Sequence, residues 1–89
     1  ISGHSFTGNI FGSLMTYEFR KDGYVVQYVM YSPQSMDKWE IRDNKLFIIS
    51  GILEIPFEVK LNGKAIYTDK IFEGYYYRED YLRAKGINL

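Results

Sequence analysis

The chain has 89 residues, enough for one hydrophobic core and too few for two, so residues 1–89 read as a single domain. Eleven basic residues face eleven acidic ones, which removes the positive excess behind most non-specific affinity for phosphate backbones, and no nucleic-acid partner is expected. With no cysteine, a disulfide framework, a thiolate metal site and a cysteine nucleophile are excluded, while nine Tyr, six Phe and one Trp are too many aromatics for a disordered segment.

Alternation with a period of two dominates, broken by closely spaced turn signals, as short antiparallel strands require. Ser5 to Ile10 reads as a first strand, Phe11-Gly12-Ser13 as a loop and Leu14 to Arg20 as a second strand. Lys21-Asp22-Gly23 supplies a tight turn into Tyr24 to Tyr31, which Ser32-Pro33-Gln34-Ser35 interrupts because proline lacks the amide donor of a central strand. Asp37 to Arg42 and Lys45 to Ile49 flank Asp43-Asn44, two residues that accept left-handed backbone, and Trp39, Ile41, Leu46 and Ile48 are expected to share the core. After Ser50-Gly51, the residues Ile55, Phe57, Val59 and Leu61 alternate with polar or proline positions. Asn62-Gly63, the strongest hairpin signal in the chain, then returns it through Lys64 to Thr68. A last strand is expected from Ile71 to Tyr76. The stretch from Arg78 to Gly86, acids first, bases last and a glycine at the end, reads as a short C-terminal helix.

These elements predict an all-β fold, an antiparallel meander of about seven or eight short strands forming a small barrel or half-open sheet, with a helical tail. The inward candidates Phe19, Tyr28, Trp39, Phe57 and Tyr67 are bulky, so the interior is expected to be filled.

The segment Trp39-Glu40-Ile41-Arg42-Asp43-Asn44-Lys45-Leu46-Phe47-Ile48 resembles a hairpin common in lipocalin-like β-barrel domains of bacterial envelope proteins. Gly3-His4-Ser5-Phe6-Thr7-Gly8 and Tyr17-Glu18-Phe19-Arg20-Lys21-Asp22-Gly23-Tyr24 are similar to the opening strand and first hairpin of such domains, so the resemblance runs from residue 3 to 76. The Gly-x-Trp signature of lipocalins is absent, with Phe6 the nearest aromatic. The resemblance implies a calycin-type barrel and an envelope setting.

Catalytic inventory is thin. One histidine, His4, lies close to the chain start, and the acidic pairs Glu54 with Glu58 and Glu79 with Asp80 carry no sign of desolvation, so an enzyme is not expected. No catalytic residue, cofactor site or metal site is assigned, because neither a calcium loop nor a phosphate-cradling glycine loop occurs. Tyrosine stands out instead. Tyr75, Tyr76 and Tyr77 run in a row with Tyr81 beyond, and in a strand Tyr75 and Tyr77 point opposite to Tyr76, so some of these rings must face outward. Tyr75, Tyr76, Tyr77 and Tyr81 are therefore the candidate binding residues, since exposed tyrosine combines rigid contact area with a hydroxyl. The expected role is non-catalytic binding of a protein partner or of a second copy. A lipocalin-type site for a small apolar ligand or a glycan is the alternative.

No apolar run approaches the about 20 residues that span a bilayer, so no transmembrane segment is expected. The chain opens with Ile1 and not Met, as either a processed product or an excised domain would, and loss of a signal or lipoprotein leader is one of the readings this leaves open. An exported location, whether periplasmic, outer-membrane lipoprotein or secreted, is expected.

Overall fold

A computed structural model describes all 89 residues, Ile1–Leu89. Eight strands follow one another: β1 (His4–Ile10), β2 (Ser13–Phe19), β3 (Tyr24–Val29), β4 (Ser32–Arg42), β5 (Lys45–Ser50), β6 (Leu53–Lys60), β7 (Ala65–Thr68) and β8 (Gly74–Arg78), with helix α1 (Glu79–Lys85) after them. Each strand pairs antiparallel with its sequence neighbour, and β8 returns to β1, so the sheet closes into an up-and-down barrel. Closure removes the open sheet edges that invite aggregation.

The boundaries differ from the expected ones where a neighbouring strand is missing. Pro33 lies inside β4, because residues 32–35 pair with β3 alone and β5 first meets β4 at Lys38 opposite Ile49; on such a one-sided stretch proline breaks no ladder. The last strand starts at Gly74 and not at Ile71, since Ile71 and Phe72 form the preceding turn, with Phe72 in the left-handed region at φ 53°.

Side chains alternate inward and outward around the ring. Phe6, Ile10, Met15, Tyr17, Phe19, Val25, Leu46, Ile48, Phe57, Ile66 and Tyr76 form one buried cluster. Tyr17 is its hub: its ring lies 5.6 Å from Phe57, edge to face, 5.0 Å from Tyr76 and 6.3 Å from Phe19, and so ties β2 to β6 and β8 across the barrel. Phe6 and Phe19 meet edge to face at 5.8 Å. The interior is filled by these rings, as a barrel of this strand number permits.

Four expected core positions are corrected. Tyr28 and Tyr67 face outward, because their cross-strand partners Thr16 and Tyr75 lie on the outer face. Ile41 is half exposed and Trp39 only partly buried: β3 stops pairing at Tyr24 opposite Lys38, with only the Trp39 N–H bond to the Gly23 carbonyl beyond it, so the inner face around Ile41 has β5 on one side and solvent on the other. Trp39 still packs edge-on to Phe19 at 5.5 Å, and its indole N–H donates to the Arg20 carbonyl at 3.0 Å.

The seam of the barrel depends on Gly8. A Cβ there would run into the Tyr75 carbonyl oxygen, so only glycine lets β1 pass that close to β8. Over the outside of the seam, α1 packs on β1 and β8 with Leu82 as its buried anchor, and beside it the buried Thr7 and Thr16 bond each other through their hydroxyls at 2.9 Å. The helix ends at Gly86 in the left-handed region, φ 66°, with its N–H on the last carbonyls.

Phe19→Ala should cost about 3–5 kcal/mol in denaturant unfolding, as truncation of a fully buried ring does, whereas Ile41→Ala should cost under about 1 kcal/mol. Equal costs would contradict the described packing.

Candidate functional site

Strand alternation sorts the candidate tyrosines. Tyr76 is fully buried, with its hydroxyl donating to the Phe72 carbonyl at 2.6 Å, and is thereby removed from the binding residues; one inward position between two outward ones follows from the pleat. Tyr75, Tyr77 and Tyr81 lie outside, Tyr75 being 48% exposed and the other two half-buried. The structure adds Tyr67, which faces Tyr75 across the β7–β8 ladder.

The four outward rings form a continuous row over β7, β8 and α1. Ring centroids are 4.7 Å apart for Tyr67 and Tyr75, 6.2 Å for Tyr75 and Tyr77, and 6.1 Å for Tyr77 and Tyr81, the last two pairs nearly parallel at 17° and 15°. Cations flank both ends: the Lys85 ammonium sits 5.8 Å over the Tyr81 ring, and Lys60 lies near Tyr67 and Tyr75. The Lys60 pKa is raised, first by its hydrogen bond to Glu58 and then by the Glu58 charge, with the two tyrosines contributing less. Sequence reasoning missed Tyr67 because its face depends on the β7–β8 register; its signal was the alternation of Ile66 and Thr68 inward around it.

The acidic candidates are dispersed on the surface with cations. Glu54 bonds Arg42 at 2.7 Å, Glu58 bonds Lys60 at 2.8 Å, and Asp80 bonds Arg78 at 2.6 Å. The last two carboxyls are held below their ordinary pKa by those hydrogen bonds. No group of three or more His, Cys, Asp or Glu side chains converges as a metal ion would require. His4 is half-buried at the start of β1. A cleft of about 420 Å³ lies outside the barrel, between the C-terminal tail and the strands, and is lined by Leu14, Tyr31, Leu82 and Ile87 among others.

No protein-family model, curated protein or solved structure matches the chain. Its class is defined by geometry alone, as a closed eight-stranded antiparallel barrel with a filled interior and a short C-terminal helix.

The buried phenols give the barrel an alkaline limit. Burial pushes the Tyr17 hydroxyl up from 10.0 to about 12, and burial raises Tyr76 as well, with the neighbouring Tyr17 adding to it. Because the raised value belongs to the folded state, the Tyr17 contribution is complete below pH 10.0 and is lost as pH rises towards 12. That loss is about 3 kcal/mol for Tyr17. Urea unfolding at a series of alkaline pH values should show stability falling through this window, and Tyr17→Phe should flatten the fall. A flat profile in the parent would contradict the burial of these hydroxyls.

Proposed function

We propose that this domain is a non-catalytic binding module that takes a protein partner, or a second copy of itself, on the outward tyrosine row. The carrying observation is the run of Tyr67, Tyr75, Tyr77 and Tyr81 as four contiguous rings on one outer face, held by two strands and a helix. Aromatic side chains presented rigidly are favoured anchors of protein interfaces, since they bring large area at little entropic cost. The setting proposed with it is an exported or envelope-associated bacterial protein with a lipocalin-like barrel, on the strength of the hairpin resemblance.

A lipocalin-type carrier would hold a small ligand inside the barrel. The interior aromatic cluster favours the outer surface instead, because Tyr17, Phe57 and Tyr76 occupy the central volume.

Sedimentation equilibrium of the parent and of the Tyr75→Ser, Tyr81→Ser double variant tests the self-association arm. The double variant should weaken association by about tenfold or more with the melting temperature within about 4 °C of the parent. Tyr76→Ser, by contrast, should destabilise the fold by about 3–5 kcal/mol. A parent that stays monomeric throughout the concentration series removes the second copy as the partner.

A further inference from the structure

In a closed up-and-down barrel the connections alternate between the two ends, so the β1–β2, β3–β4, β5–β6 and β7–β8 turns share one end. Every one of them presents a large apolar side chain to solvent. Phe11 is 79% exposed, Met30 and Tyr31 64% each, Ile52 105% and Phe72 39%. Single exposed apolar residues are ordinary on protein surfaces; four turns in a row carrying them at one end are not.

Backbone conformation sharpens the contrast. Phe11, Met30, Tyr31 and Phe72 all sit in the left-handed region, with φ between 51° and 63°, where Gly, Asn or Asp is favoured and a bulky side chain costs energy. At the opposite end the left-handed positions are taken mainly by Asp43, Asn44 and Asn62, with Leu61 the exception. Three of the four turns at this end thus override local turn chemistry in favour of exposed apolar bulk, and only the Gly51-Ile52 turn keeps a glycine at its left-handed position with the apolar residue beside it.

We infer that this end docks the barrel on a lipid bilayer, with the turn tips entering the boundary between headgroups and acyl chains. The exposed apolar side chains are carried by four separate turns, each belonging to a different pair of strands, and a fluid bilayer boundary can take up each of them in turn. The charges point to uncharged lipid. The first three turns, Phe11-Gly12, Met30-Tyr31 and Gly51-Ile52, carry none, and the fourth carries Asp69, Lys70 and Glu73, with Lys70 paired to Asp69 at 3.6 Å. No cationic patch is present at the tips to seek anionic headgroups, so apolar insertion is the driving contribution. Ile87, beside Leu14 and Tyr31 at the outer cleft, extends the apolar surface from this end. The tyrosine row starts beside the β7–β8 turn and runs along the side of the barrel away from this end, and none of Phe11, Tyr31 and Ile52 belongs to it.

Co-sedimentation of the full chain with phosphatidylcholine vesicles tests this. The parent is expected to pellet with the vesicles and to do so equally at high salt. The triple variant Phe11→Asn, Tyr31→Asn, Ile52→Asn should lose about tenfold or more in partitioning. Its melting temperature should be unchanged or higher, because asparagine accepts the left-handed backbone at two of these sites. Should the triple variant fail to fold, Ile52→Trp decides: its added emission should be quenched by lipids brominated in the acyl chain, and that of Lys64→Trp at the far end should not. Failure of the parent to pellet overturns the inference, as does equal quenching of both tryptophans. So does binding that needs phosphatidylglycerol and vanishes in salt, or an unbound parent whose self-association the triple variant abolishes.

Discussion

The packing of Tyr17 against Phe57 and Tyr76 across the barrel is the contact on which the rest depends. A meander of eight short strands has few residues per strand to hold its shape, and three strands that do not pair with one another, β2, β6 and β8, are joined through this one side chain. Because the rings occupy the central volume, the barrel is a solid body with a close-packed core, and its outer faces and turns are the surfaces open to a partner.

Closure has its own local condition. The seam between β1 and β8 is drawn tight at Gly8, and the outer side of that seam is covered by α1, which packs on both strands beside the Thr7–Thr16 hydroxyl pair. The helix therefore does two things at once: it covers the outer side of the seam, and it carries Tyr81 to the end of the row that Tyr67, Tyr75 and Tyr77 begin. The fixed inward place of Tyr76 is what fixes its two neighbours outward, so core packing and surface presentation are one constraint seen from two sides.

Much of this was legible in the residues. Turn chemistry at Lys21-Asp22-Gly23, Asp43-Asn44 and Asn62-Gly63 located three hairpins, and the acids-first, bases-last tail located the helix. Alternation of Ile55, Phe57 and Val59 marked the inner face of β6. What could not be read locally was pairing. The exposure of Ile41 depends on β3 ending short of it, and the outward turn of Tyr28 and Tyr67 depends on register with strands elsewhere in the chain. The apolar turn tips gave the opposite difficulty, since Ile71-Phe72 reads as strand and Phe11 as an ordinary loop residue until the topology places their turns at one end. The tyrosine row likewise needs a ring from β7, two from β8 and one from α1, a juxtaposition that only the closed fold creates.

The central claim is that the interior is occupied by the protein's own side chains, which is the ground for proposing recognition on the outer surface. Methyl NMR of isotope-labelled protein titrated with a long-chain fatty acid tests it most directly, because Ile10, Leu46, Ile48 and Ile66 report the interior and Ile52 and Ile71 the exposed turns. The interior methyl signals should stay in place throughout the titration, with any shifts confined to the turns. Saturable shifts of Leu46, Ile48 and Ile66 together would mean that a ligand enters the barrel, and would contradict the account.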